Sequence, residues 1–225
     1  YKLTDLPVVD AEGRLVGVVR YRNLVAAAED EASVALQTMV GVSKDERALS
    51  KVSFAVRKRL PWLQINLLTA FLAAAVVGLF ESTIAKYTAL AVLLPVVAGQ
   101  SGNTGAQALA VTMRGLALRE IRIRQWPRVL FKEASTAFWN GLAVAATTAL
   151  GVWIWSTSVG LAGVIGVSMI LSMVIAGISG AAIPLLLTAA RQDPAQSSSI
   201  VLTTVTDVAG FFSFLGIASL FSDLL

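Results

Sequence analysis

The 225 residues are 56% hydrophobic and only 14% charged, with a mean hydropathy of +0.74, too apolar for an ordinary soluble domain and suited to several membrane spans. Cys and His are both absent, which excludes disulfides, thiolate chemistry and the commonest ligands of zinc, copper and iron, so any metal must be held by oxygen. The net charge of +4 reads as a signal of membrane topology, and a nucleic-acid patch is the weaker explanation.

In chain order, Leu6-Pro7-Val8-Val9-Asp10, a turn at Ala11-Glu12-Gly13-Arg14 and Leu15-Val16-Gly17-Val18-Val19-Arg20 predict a β-hairpin. Tyr21 to Asp30 reads as helix, and one hairpin plus one helix is too small to bury a core alone. The chain is therefore expected to begin inside a cytosolic domain, with residues 1–32 its closing part. No signal peptide is expected, since the first 60 residues lack an apolar run of the required kind. Over residues 44 to 60, Leu49, Val52, Val56 and Leu60 recur at helical spacing among basic residues. This predicts a basic amphipathic helix entering the membrane at Pro61-Trp62, either as a juxtamembrane anchor or as a connector from the cytosolic domain.

Five apolar stretches follow, roughly 62 to 80, 87 to 112, 130 to 155, 161 to 190 and 199 to 221, each long enough to span a hydrocarbon core. The expected fold is thus an all-α integral membrane protein with five transmembrane helices over residues 61–225 and a small N-terminal hairpin and helix. Basic residues mark the cytoplasmic side. Ten precede the first span, six lie between the second and third from Arg114 to Lys132, and Arg191 lies between the fourth and fifth, leaving only Lys86 opposite. The N-terminus is expected inside the cell membrane and the C-terminus outside.

Two spans carry polar groups. In the second, Pro95, Gly99, Asn103 and Gln107 recur every fourth residue and share a helical face. Pro and Gly free backbone carbonyls that need protein or water, so this face, with Gly102, suits the lining of a hydrated pore. Close packing through small residues is the simpler alternative. In the last span, Ser199, Thr203, Asp207 and Phe211 share one face, flanked by Thr206 and Gly210. A carboxylate at membrane depth is costly and usually marks an ion or proton path, which makes Asp207 the first functional candidate. Asp193 and Glu133 fall at the cytoplasmic mouth, where they would attract cations, or else serve as a helix cap before Pro194 and as an ion-pair partner. Hard cations such as Mg²⁺, Ca²⁺ or Mn²⁺ suit oxygen ligands; of these Mg²⁺ keeps most of its waters, and one Asp per chain fits it poorly. Two copies about a twofold axis double the carboxylates, so a homodimer with its pore lined by spans two and five is expected.

Arg57-Lys58-Arg59-Leu60-Pro61-Trp62, Leu94-Pro95-Val96-Val97-Ala98-Gly99 with Gly102-Asn103-Thr104-Gly105, Arg114-Gly115-Leu116-Ala117 and Thr203-Thr204-Val205-Thr206-Asp207 together resemble the MgtE family of magnesium channels. The resemblance covers nearly the whole chain. It implies a five-span homodimer with a Mg²⁺-selective pore between subunits, closed by cytosolic domains when internal Mg²⁺ is high. By the same likeness the hairpin is the end of a CBS domain and residues 33–60 are the connecting, or plug, helix. Asp207 takes the place of the pore aspartate, with the carbonyl of Thr203 beside it and Asn103 on the facing span, while Asp193 and Glu133 match acids near the inner mouth. Two departures stand out. Ser101 replaces a frequent Gly, and Val34-Ala35 replaces an acidic pair tied to closure, although Glu29, Asp30 and Glu31 are close by.

The reading is a non-enzymatic channel for hydrated Mg²⁺ in the bilayer, with no nucleic-acid partner. A proton- or Na⁺-coupled secondary transporter is the alternative. An intramembrane hydrolase is disfavoured, because Asp207 has neither a Ser/His nor a second deep acid beside it.

Overall fold

The computed structural model describes residues 4–193 and 198–224. Strands β1 (Asp5–Val9) and β2 (Leu15–Arg20) pair antiparallel, Asp5 opposite Arg20 and Pro7 opposite Val18, with a bulge at Val8/Val9. Their turn closes where the Asp10 carboxylate accepts from the amides of Glu12 and Arg14 at 3.1 and 2.8 Å, and Gly13 adopts φ +79°, a left-handed conformation that Gly takes without strain. Val8, Val9, Leu15, Val16 and Val18 stay exposed.

Helix α1 (Tyr21–Met39) outruns the predicted Tyr21 to Asp30 and stops at Gly41, whose φ is +75°. The Gly41 backbone lies directly on the indole of Trp62, leaving no room for a Cβ. Residues 44 to 51 contain turns and no helix, which corrects the predicted start of the amphipathic helix. That helix begins at Val52 and runs unbroken through Pro61 into the first apolar span, as α2 (Val52–Gly78). The physical reason for the late start is Glu46, buried in the turn and doubly hydrogen-bonded to the Arg59 guanidinium, Nε–Oε2 being 3.1 Å. A tertiary ion pair thus outweighs a local helical pattern.

A short helix α3 (Glu81–Lys86) leads to α4 (Ala89–Ala117), then a 3₁₀ turn at Ile123–Gln125, α5 (Trp126–Ser156), α6 (Val159–Ala189) and α7 (Ser198–Leu220). Ser158 caps α6, its Oγ accepting from the Leu161 amide at 3.1 Å, a bond that satisfies one of the free N–H groups at a helix start. Among the described residues, α2, α5, α6 and α7 are long and apolar enough to cross a membrane. With 29 residues α4 has the length, about 44 Å at 1.5 Å per residue, but its Gly99 to Gln107 stretch dilutes its apolar character.

Helix α6 is the centre, packed against α5, α4 and α7, while α2 leans on α7. Small residues permit this closeness. Gly180 sits against the Gly105 carbonyl, a Cβ on Gly177 would meet Ala137 Cβ at 2.7 Å, and one on Gly141 would meet Ile170 Cα at 3.3 Å. Away from the basic loops, Leu90, Leu93, Val97, Ile165, Met169, Phe214 and Leu215 form the main core. At the basic end, where α4 and α6 finish and α7 starts, a smaller cluster of Leu109, Ile183 and Leu202 is covered by Met39 from the end of α1.

Candidate functional site

The α4–α7 seam sets the register of the site. A Cβ on Gly210 would lie 3.3 Å from Ser101 Oγ, and one on Gly105 would lie 3.2 Å from Thr206 Cγ2, so the helices run antiparallel with Asp207 level with Thr104, one residue from Asn103. Asp207 is the tenth of the 23 residues of α7, about 14 Å along it from the basic end. The structure therefore brings the two foremost candidates from the sequence to one depth.

The seam also sorts the side chains by face. Ser101, Thr104, Thr206 and Gly210 are buried between the helices, so Thr206 and Gly210 serve the packing there. Pro95, Gly99, Asn103 and Gln107 lie exposed on α4, Gly102 is half-buried, and neither Gly99 nor Gly102 has an atom within 4 Å of a would-be Cβ. On α7 the open side carries Thr203, exposed, with Ser199 and Asp207 half-buried. Asp207, Asn103 and Gln107 have no side-chain hydrogen bond or ion pair among the described residues. An acid and two amides without partners, in the middle of apolar helices, are costly in hydrocarbon and require water, an ion or another protein surface.

The hydroxyls behave differently. Ser101 Oγ donates to the Val97 carbonyl at 2.8 Å, Thr104 to Gln100 at 2.9 Å, Thr203 to Ser199 at 2.9 Å and Thr206 to the Thr203 carbonyl at 3.0 Å. Each satisfies its donor on its own helix, and the Thr203 carbonyl has one lone pair already engaged. Among the described residues, the Asp207 carboxylate and the Asn103 and Gln107 amides are thus left free on the open face, and Pro95 has no N–H to offer the carbonyl one turn before it.

Glu133 and Asp193 stand elsewhere. Glu133 is buried on α5 with Lys132 Nζ 2.6 Å from its Oε1. It lines a cavity of about 310 Å³ with Thr112, Gln125 and Arg128, on the side of α4 that meets α5. In that cavity Thr112 Oγ1 is buried without a hydrogen-bond partner, a feature no local pattern announces. Asp193 is exposed just after α6, and Pro194 lies outside the described residues, as do the side chains of Glu29, Asp30, Glu31 and Ala35. Among the described residues, no three acidic side chains gather into one metal cluster.

Residues 94–217 match the family model described as MgtE, Divalent cation transporter, a segment that contains most of α4 and α7. Proteins named Magnesium transporter MgtE align over nearly all of the chain. That of Thermus thermophilus is 35% identical over 222 residues, that of Bacillus subtilis 31% over 221, and that of Enterococcus faecalis 30% over 221. Each alignment covers 98% of this chain but 49% of the relative, so the chain spans about half the length of the curated relatives it matches. The family match spans more than half of the chain and takes in Asn103 and Asp207, and on that ground the chain belongs to the MgtE family of divalent cation transporters.

Proposed function

We propose that the chain is the membrane-spanning part of a Mg²⁺ channel that conducts the hydrated ion along the open face of α4 and α7. The observation that carries this reading is the unpartnered trio Asp207, Asn103 and Gln107 on that face. A second copy related by a twofold axis covers it and faces Asp207 with its mate, supplying two carboxylates around one path. The ion keeps its waters, since Mg²⁺ dehydrates reluctantly, and the amides and freed carbonyls hold those waters by hydrogen bonds. The relatives' printed name, magnesium transporter, supports Mg²⁺ as the cargo.

Helix α4 is the fifth span in this reading, its polar stretch being what a pore-lining helix needs. The basic end is cytoplasmic by the distribution of Lys and Arg, with the N-terminus inside the cell membrane and the C-terminus outside. The exposed apolar strands of the hairpin suit a piece of a larger cytosolic domain of CBS type, and α1 is its connector. Met39, seated on Leu109, Ile183 and Leu202, supports a connector over residues 33–60 that meets the bundle at its cytoplasmic mouth, where its movement gates the path. Glu133 and Asp193 act there as cation-attracting acids, Glu133 with its charge shared by Lys132.

Asp207→Ala in proteoliposomes tests the reading. Mg²⁺ uptake driven by an inside-negative potential is expected to be lost, and unchanged flux with unchanged preference over Ca²⁺ sinks the assignment. Reversal potentials separate channel from coupled transporter: for a channel they follow the Mg²⁺ gradient alone, and a shift with an imposed pH or Na⁺ gradient establishes coupling instead.

A further inference from the structure

Away from the α4–α7 seam, the start of α5 and the last two turns of α6 enclose a groove of about 450 Å³. One wall is Ile123, Trp126 and Leu130; the other is Leu185, Leu186 and Ala189, on a face of α6 distinct from the one where Gly180 and Ile183 meet α4 and α7. The lining is apolar, and Trp126 and Leu186 are left more than half exposed at 54% and 67%.

Around this groove the described residues carry an excess of positive charge, with Asp193 the acid that follows Arg191. Between Arg119 and Lys132 lie five basic residues and one acid, Glu120. Glu120 lies 4.0 Å from Arg114, and Lys132 is taken by Glu133. Arg122 and Arg124 flank Ile123 in the 3₁₀ turn, and Arg191 follows Ala189 by two residues at the tight turn that ends α6, with φ +57°. None of these three has an ion-pair partner among the described residues. An apolar slot with a Trp in its wall, and with Arg122, Arg124 and Arg191 within two residues in sequence of its lining residues Ile123 and Ala189, suits a phospholipid with a net negative headgroup. In such sites the acyl chain packs on the apolar wall, an indole favours the headgroup level and guanidinium forks bind phosphate oxygens in pairs.

We propose that this groove is a specific site for an anionic phospholipid of the leaflet at the basic end, its acyl chain along Trp126, Leu185 and Leu186 and its phosphate held by Arg122, Arg124 and Arg191. A merely topological role for the arginines needs their number and sign; it does not need a slot beneath them. The proposal rests on the membrane-spanning reading but not on the ion path, since α5 packs on α6 and stands apart from the α4–α7 face.

Native mass spectrometry of the purified whole protein, exchanged into phosphatidylglycerol or phosphatidylcholine, tests it. Retention of phosphatidylglycerol over phosphatidylcholine is expected, and the combined Arg122→Gln, Arg124→Gln and Arg191→Gln variant should reduce that retention about tenfold or more. Ala189→Trp fills the slot while keeping every charge, and should reduce retention without altering the elution volume of the folded protein. The pair Arg57→Gln and Lys58→Gln, basic and exposed on α2, should leave it unchanged. Equal retention of both lipids, equal loss from the α2 pair, full retention in Ala189→Trp, or displacement by excess inorganic phosphate each overturns the proposal. Mg²⁺ flux by Asp207→Ala is a separate readout, so failure of the lipid site and failure of the channel reading are told apart.

Discussion

Asn103 and Asp207 show how a single side chain can be read before any fold is known. A carboxylate within an apolar run has few bland explanations, because hydrocarbon offers it nothing, and its spacing from Thr203 and Ser199 follows from helical geometry alone. In the proposed pore the neutral amide of Asn103 would hydrogen-bond the water shell of the ion, a role in selection more than in attraction. Asn103→Ala is expected to lower the Mg²⁺ over Ca²⁺ preference by about 1 kcal/mol, roughly fivefold, measured as the ratio of initial uptake rates in proteoliposomes. An unaltered ratio would reduce Asn103 to a spacer on the helix surface. Other residues were not legible in this way. The isolation of Thr112 Oγ1, and the pairing of Glu46 with Arg59 across 13 positions, depend on what the fold places nearby, which no local spacing encodes.

At the scale of elements, glycines divide by what lies opposite them. Gly180 is pressed onto the Gly105 carbonyl, backbone that cannot swing aside, whereas Gly99 faces open space. Gly180→Ala should therefore force α4 and α6 apart at a cost of about 1–3 kcal/mol, read as a lowered thermal midpoint in detergent. Gly99→Ala should leave that midpoint unchanged and reduce Mg²⁺ flux by narrowing the path. Equal midpoints for the two variants would mean that the α4–α6 contact is looser than its geometry states. The pattern of small residues was visible in the sequence, but its double meaning was not. Pro95, Gly99 and Asn103 and the neighbouring Ser101 and Gly105 form two adjacent stripes on one helix, one open and one packed, and only the position of α6 and α7 tells them apart. The same holds for α2, where basic amphipathic spacing predicted a helix from residue 44 and the burial of Glu46 delayed it to Val52.

For the molecule as a whole, the proposed pore needs a second copy over the open face of α4 and α7. The chain contains no cysteine, so a single introduced thiol reports only the contact chosen. Gln107→Cys, exposed on the open face, should form a disulfide-linked dimer on mild oxidation in membranes, while Phe131→Cys, exposed on α5, should remain a monomer on a denaturing gel. The reverse pattern would move the interface to α5 and remove the twofold pore. In a channel so built the driving force is the membrane potential, about 2.3 kcal/mol per charge per 100 mV and twice that for a divalent ion. Collapsing the potential should therefore slow Mg²⁺ entry steeply at a fixed gradient.

By itself the sequence determined the membrane class, the hairpin, the order of the apolar stretches, the family and the place of Asp207 within the last apolar run. These depend on local composition and on helix and strand periods, which short stretches of chain carry within themselves. Tertiary structure alone decided which polar residues remain without partners among the described residues, that Thr206 and Gly210 are packed while Asn103 and Gln107 are open, that Glu133 belongs to a separate cavity with Thr112, and that Met39 covers the basic end of the bundle. Each of those facts is a relation between helices far apart in sequence, fixed by which small residues let two backbones touch.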